Sequence, residues 1–332
     1  MPSVTTYHRL PDPAASPTAR RITGLVAGLA ALLALLPAAG AVAGEDEKYP
    51  VPYNFLGSAL IALSQVDADP PGANDWDCRP SRRNPRPVLL VHGLGGNKNT
   101  NWQTYAPLLA NHGYCVFALT YGVADAPTPL DQFGGMTRIQ RNGRELKRFV
   151  RKVRRATGAR NVDLLGHSEG TVVSGYYLKF LRGNRHVKRL VSLAPVWHGT
   201  DPAALGTISD LGRPFGMTGA IEEALAPHFA SGPQLLKGSR FMRKMRRGGT
   251  VLVRGVEYTN LVTKYDQLVV PYTSGIEPGA RNIVIQNRCA KDYAEHFEIA
   301  ADPVTARIVL NRLAPRRARQ VPCRLVLPYV GG

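Results

Sequence analysis

Residues 166–170 read Gly-His-Ser-Glu-Gly, and their place between two different periodicities constrains this chain more than any other feature. Residues 161–165, just before them, form a short apolar run bounded by turn formers. Residues 171–181, just after, run long enough for an amphipathic helix. A G-x-S-x-G segment at a strand-to-helix junction makes a turn so tight that only small residues fit beside the serine. The turn lifts the Ser168 hydroxyl above a sheet and sets it at a helix N-terminus, where oriented N–H groups favour developing negative charge. With 33 glycines in the chain the five-residue match carries little by itself. Its strand before and helix after make Ser168 a candidate nucleophile.

Strand and helix patterns alternate on both sides of this turn. Residues 87–92 read as a buried strand, 102–112 as a helix, 115–121 as a strand and 137–157 as a helix. Beyond the Ser168 helix come strands over 190–194, 250–262 and 282–286, and a closing helix over 303–313. Such alternation predicts an α/β fold, a mostly parallel sheet with helices on both faces. In that architecture a site forms at the carboxyl ends of the strands.

The beginning of the chain reads as an address. Arg20 and Arg21 precede an apolar run over 22–36, and small residues follow through Ala41, Val42 and Ala43. This is the pattern of a secretory signal over residues 1–43, with a retained N-terminal anchor as the alternative. The run is too short and too rich in Ala and Gly for a convincing membrane span, and the residues around the two arginines fit a twin-arginine signal poorly. The reading implies a secreted, extracellular protein whose residues 44–332 form one α/β domain, since no compositional break marks a linker.

The formal charge of the chain is +18, and residues 1–43 carry three arginines and one aspartate, which leaves +16 for the remainder. Much of the positive charge falls on residues 137–157, where Ile139, Leu146, Val150 and Val153 mark a buried face. Arg144, Lys147, Arg148, Arg151, Lys152, Arg154 and Arg155 then form a solvated face, with attraction to anionic lipid or cell-wall polymer as the alternative. No zinc-finger spacing, RNP-like motif or aromatic–basic interleaving supports nucleic-acid binding. Cys78, Cys115, Cys289 and Cys323 are an even set in an exported chain, so two disulfides are expected. Of the three pairings, Cys78–Cys115 and Cys289–Cys323 are favoured because each closes a moderate loop within one half of the domain. No C-x-x-C pair occurs, and His198 and His228 lack partners at ligand spacing, so no metal is expected.

A serine needs a base, and the base needs an acid. In an elbow-type enzyme the chain order is Ser, then Asp or Glu, then His. Of the histidines after Ser168, His186 and His198 come too early for an intervening acid, and His228 sits in an irregular segment. His296 alone follows a full further strand, and its alternative is an exposed loop histidine. Asp266 hangs after the strand over 258–262, where the acid belongs; its alternative is a turn aspartate that bonds its own backbone. Asp292 and Glu295 stand too close to His296 to be the usual partner. After the first strand, His92-Gly93-Leu94-Gly95-Gly96 forms a Gly-rich loop that lacks phosphate-loop spacing. The expected oxyanion donors are the backbone N–H groups of Leu94 and Glu169. His92 and His167 are expected to shape the site without transferring protons.

These residues resemble the secreted bacterial class 2 lipases and esterases of the α/β-hydrolase fold. The likeness rests on 86–93, 113–122, 166–170, 263–266 with 271–274, and Glu295-His296 before Asp302-Pro303, and covers nearly all of 44–332. It implies Ser168 as nucleophile, Asp266 as acid, His296 as base, Leu94 and Glu169 as oxyanion donors, and carboxylic ester hydrolysis through an acyl-enzyme without a cofactor. The fit is weaker from Thr200 to Gly249. That segment is expected either to cap the site and form an acyl pocket, moving as a lid, or to be a static insertion. Expected activities are a triacylglycerol lipase, or an esterase or polyesterase on shorter or non-lipid esters. Acyl transfer to an alcohol is also open. An inactive fold that binds anionic envelope polymers is the alternative from another class. Expected partners are a small-molecule or lipid ester and a peripheral lipid interface, for a monomer. Because the Glu169 carboxylate would repel an oxyanion, its side chain is expected to turn away toward a hydrogen-bond or cationic partner.

Overall fold

Six strands form one sheet in the order β2-β1-β3-β4-β5-β6, and every neighbouring pair runs parallel. They are β1 (Val88–Val91), β2 (Val116–Leu119), β3 (Val162–His167), β4 (Val187–Leu193), β5 (Glu257–Val262) and β6 (Arg281–Val284). The helices are α1 (Phe55–Leu63), α2 (Tyr105–Asn111), α3 (Ile139–Thr157), α4 (Glu169–Phe180), the single turn α5 (Gly232–Leu235), α6 (Arg240–Met245) and α7 (Pro303–Leu313). The computed structural model describes residues 48–65, 67–125, 130–204 and 226–332. The expected leader over 1–43, and residues 205–225 of the expected cap, lie outside the described residues.

The two-residue period of the strands sorts their side chains onto two cores. Val88 and Leu90 of β1, Val116 and Ala118 of β2, and Val191 and Leu193 of β4 meet α2 and α7 on one face. Leu89 and Val91, Phe117 and Leu119, and Leu164 of β3 meet α3, α4 and α6 on the other. Because both faces are covered, β1 and β2 are apolar and buried at every position rather than alternating. Among the described residues no helix is long and apolar enough to cross a membrane.

On α3, Ile139, Leu146, Val150 and Val153 are buried as their spacing predicts, and Gly158 in the left-handed region ends the helix. Its cations mostly face solvent, and Lys152 Nζ lies 3.8 Å from the Trp76 ring centre. Helix α4 differs from the amphipathic expectation, since every residue from Glu169 to Leu178 is buried. Its outer side is covered by α3 and α6; Tyr176 packs on Phe241 with ring centres 6.1 Å apart. Strand β5 is shorter than expected. Gly255 turns the chain at φ +88°, and Thr250 is held aside by Glu277, its Oγ1 donating to Oε1 at 2.6 Å. At the end of β6, Gln286 leaves the sheet in a 3₁₀ turn, and its Nε2 donates to Thr263 Oγ1 (2.9 Å) and the Asp292 carbonyl (3.0 Å).

The described part of the 200–249 segment is tied down at several points. Thr200 N–H donates to Leu235 O (2.9 Å) and Ala230 N–H to Met136 O (2.8 Å), while Phe241, Met242 and Met245 enter the core beside α4.

Disulfides join Cys78 to Cys115 and Cys289 to Cys323, with Cα separations of 5.7 and 5.0 Å. The first anchors the segment before β1 at the start of β2, and the second anchors the C-terminal segment to the loop after β6. Replacing Cys289 and Cys323 together with Ala, which opens a link spanning 34 residues, is expected to lower unfolding free energy by roughly 3–4 kcal/mol in the chain-entropy account. Equilibrium denaturant unfolding of the double variant measures this directly.

Candidate active site

At the end of β3 the chain turns into α4 through Ser168, which is held at φ 51°, ψ −122°. A non-glycine residue in this region costs about 1–3 kcal/mol and persists only where its surroundings enforce it. Two neighbours do so. Ser168 N–H donates to Leu193 O of β4 at 2.9 Å, and Gly170 lies so close to β1 that a Cβ there would stand 2.0 Å from the Val91 carbonyl oxygen. No side chain larger than hydrogen fits at 170.

The loop after β6 carries His296 to this turn. Its Nε2 lies 2.9 Å from Ser168 Oγ, and its Nδ1 lies 2.8 Å from Asp266 Oδ1. Asp266 Oδ1 also accepts Leu268 N–H (3.0 Å) and Val269 N–H (2.7 Å). The Asp266 carboxyl therefore both shapes its own turn and meets the imidazole. As an acceptor toward Nδ1–H, it leaves the Nε2 lone pair free to accept the serine hydroxyl proton. Asp266 and His296 are buried, so the bond between them is shielded from water.

Several further residues position this imidazole, and the sequence reading did not single out most of them. Gln267 Oε1 accepts His296 N–H at 3.2 Å, Thr263 Oγ1 donates to Ala294 O at 2.6 Å, and His167 Nε2 bonds the His296 carbonyl at 2.9 Å. Phe55 of α1 stacks on Phe297, with ring centres 5.6 Å apart. Gln267 and Thr263 flank Asp266 closely in sequence, which is the one signal that pointed to them.

Two other buried histidines, His92 and His167, bond the backbone near the serine. Burial holds the His167 imidazole down to about 3 and that of His92 down to about 4, so both are neutral at physiological pH. His92 Nε2 accepts Tyr121 N–H (3.2 Å), so its Nδ1 carries the proton and donates to Gly93 O (2.7 Å). Its ring stacks on Tyr121 at 4.1 Å.

The loop over 93–96 abuts the serine. Gly93 N–H is held by Asn101 Oδ1 at 2.9 Å, and Gly95 N–H donates to Gly134 O at 2.9 Å. Among the described residues neither Leu94 N–H nor Glu169 N–H donates to a protein acceptor. A support missed in the sequence is Gly135, at φ 76°, where a Cβ would stand 3.1 Å from Leu94 Cα and 3.3 Å from both Glu169 carboxyl oxygens. It lets a bare stretch of backbone pass between the loop and that carboxyl. Among the described residues no group of three or more His, Cys, Asp or Glu side chains is placed to hold a metal ion.

Glu169 is completely buried. Its Oε1 accepts Asn142 Nδ2–H from α3 at 3.1 Å, while Oε2 lacks a hydrogen bond of ordinary geometry and the Tyr121 and Ser231 hydroxyls flank the group. The carboxyl has a hydrogen-bond partner, as expected, but no cation among the described residues. Burial without a counter-charge pushes it well above its ordinary 4.5, which favours the neutral acid. The folded state then keeps a proton that the unfolded chain releases. The stability tied to this group is full below its unfolded pKa and is lost as pH rises toward the folded one. Glu169→Gln, neutral and of equal size, is expected to gain stability relative to wild type as pH goes from about 5 to about 8. A pH series of denaturant unfolding curves reads this, and a gap that stays constant would mean that Glu169 is ionised.

The sequence profile of the family described as Lipase (class 2) matches residues 85–309. Two triacylglycerol lipases, from Pseudarthrobacter phenanthrenivorans and Burkholderia plantarii, are each 35% identical over 95 residues. The match takes in 27% of this chain and 27% and 24% of those proteins, so it spans about a quarter of their length. Among solved structures, Aspergillus fumigatus lipase B gives a TM-score of 0.55 at 18% identity, over 77% of this chain and 57% of that one. The mature form of a Bacillus licheniformis lipase gives 0.51 at 19%, over 71% and 94%. At such identities the likeness is one of fold, the α/β-hydrolase architecture. With the family profile spanning β1 to α7, the chain belongs to the class 2 lipase family.

Proposed function

We propose that this protein is a secreted serine hydrolase of carboxylic esters, with triacylglycerols as the leading substrate class. The carrying observation is the unbroken line of bonds from Ser168 Oγ to His296 Nε2 and from His296 Nδ1 to Asp266 Oδ1. Membership in the class 2 lipase family and the partial match to two triacylglycerol lipases support the substrate class. Export is favoured by the two disulfides, which suit an oxidising compartment.

In this reading His296 takes the Ser168 proton as Oγ attacks the ester carbonyl, and Asp266 stabilises the imidazolium and keeps its tautomer. The carbonyl oxygen becomes an oxyanion, received by the N–H groups of Leu94 and Glu169 at the start of α4. The tetrahedral adduct collapses as His296 protonates the departing alcohol, which leaves an acyl group on Ser168. Water, deprotonated by His296, attacks that acyl group; the carboxylic acid departs and the serine recovers its proton. The burial that favours the neutral acid at Glu169 matters here, because an ionised carboxylate on the residue that supplies an oxyanion donor would oppose the developing charge.

Ser168→Ala is expected to abolish labelling by an organophosphonate and to lower nitrophenyl ester turnover by on the order of 10⁴ or more. Asp266→Asn is expected to lower kcat by a comparable factor with little change in KM, because the wrong imidazole tautomer is held. Labelling that survives in Ser168→Ala, located by mass spectrometry at another residue, would overturn the assignment. A nitrophenyl and glycerol ester chain-length series with the wild type decides between a lipase and an esterase for shorter esters.

A further inference from the structure

Three places in the chain set a cation beside a large apolar side chain, and both members of each pair face solvent: Lys264 with Tyr265, Lys291 with Tyr293, and Arg324 with Leu325. The tertiary structure brings Tyr265, Lys291, Tyr293 and Leu325 into one surface, with Lys264 and Arg324 exposed next to Tyr265 and Leu325 in the chain. Asp292 and Val326 pair in a parallel β-bridge, with Tyr293 N–H donating to Val326 O (2.9 Å) and Val326 N–H to Lys291 O (3.2 Å). Both bridged side chains are completely buried. In extended chain successive side chains point to opposite faces, so Lys291, Tyr293 and Leu325 all stand on the outer face of this two-stranded ribbon. The Tyr265 ring joins them, its centre 5.3 Å from that of Tyr293. The apolar members are 39–52% exposed: Tyr293 39%, Tyr265 43% and Leu325 52%. The Cys289–Cys323 disulfide ties the C-terminal strand of the ribbon to the loop that supplies the other.

This ribbon is continuous with the site. Tyr265 directly precedes Asp266, and Tyr293 stands three residues before His296. None of the three cations forms an ion pair among the described residues. A folded chain gains nothing in water by holding three large apolar groups out together, and such a patch marks an interaction surface. Apolar and aromatic side chains interleaved with Lys and Arg are the composition of a face that lies in a headgroup layer, where aliphatic stems and rings enter and cations meet lipid phosphate. A nucleic acid would stack bases on open ring faces, but here the two tyrosine rings pack against each other. A hydrophilic anionic polymer has no use for Leu325.

We propose that this ribbon docks the enzyme on an anionic phospholipid surface, with Tyr265, Tyr293 and Leu325 entering the headgroup layer and Lys264, Lys291 and Arg324 meeting lipid phosphates. Docking brings the loops that carry Asp266 and His296 against the surface that presents the ester. The proposal deepens the ester-hydrolase reading and rests on it for its purpose, while the binding itself is measured apart from turnover.

The test is cosedimentation of the full chain carrying Ser168→Ala, which leaves lipid intact, with vesicles of phosphatidylcholine alone and of phosphatidylcholine with phosphatidylglycerol. Binding is expected to the second and to weaken with salt. In the same background, Lys264→Gln, Lys291→Gln and Arg324→Gln together are expected to weaken it on the order of 100-fold. Tyr293→Ser with Leu325→Ser is expected to remove the binding that persists at high salt. Both sets, placed in the active chain, are expected to keep wild-type turnover of a soluble short-chain nitrophenyl ester, which also shows that they fold. Equal binding to both vesicle types, or binding unchanged in both variant sets, would overturn the proposal. So would tight binding of a soluble polyphosphate that the apolar variants leave intact, which would assign the face to anionic polymers. An active-chain control with no ester turnover would overturn the hydrolase reading instead and leave the vesicle result standing.

Discussion

The contact of Gly170 with the end of β1 is the constraint from which the site follows. A side-chain carbon at 170 would stand 2.0 Å from the Val91 carbonyl oxygen, so α4 can start against β1 only because that position has no Cβ. With the helix seated there, the loop leaving β1 passes beside Ser168, and the serine takes a positive φ where β3 turns into α4. Leu94 and Glu169, 75 residues apart in a chain that has folded through β2, α3 and β3 between them, both come close to Gly135.

Charge is kept away from that place by burial. His92 and His167 are held neutral, and each is bonded to backbone so that it fixes a loop: His92 the glycine loop and His167 the segment that carries His296. Glu169 is pushed toward its neutral form by the same desolvation. In a shielded site a nearby full charge acts strongly, so neutral scaffolding leaves the Asp266–His296 pair as the electrostatic feature that meets the serine. On the proposed mechanism this concentrates proton transfer in a single imidazole.

The outer ribbon and the site share their construction. The buried Asp292–Val326 bridge, the disulfide beside it and the Tyr265–Tyr293 contact hold exposed groups in place, while residues two or three positions away serve the interior. One loop thus faces water with Lys291 and Tyr293 and faces the site with His296.

Much of this was legible in the residues alone. Strand and helix alternation announced the parallel sheet, the spacing of Ile139, Leu146, Val150 and Val153 announced the buried face of α3, and chain order singled out Asp266 and His296 for Ser168. These signals are local periodicities, turn chemistry and sequential order, which backbone geometry imposes on a chain whatever its partners do. What stayed hidden depends on who the neighbours are. The burial of α4 on all sides reflects α3 and α6 folding over it. The support of His296 by Gln267 and His167, and the contact of Gly135 with Leu94 and Glu169, join segments far apart in the chain. So does the joining of Tyr265, Lys291, Tyr293 and Leu325 into one surface. The protonation of Glu169 belongs to the same class: its type and position were plain in the sequence, but whether it carries charge is set by the water and cations around it, and only the packed structure removes both.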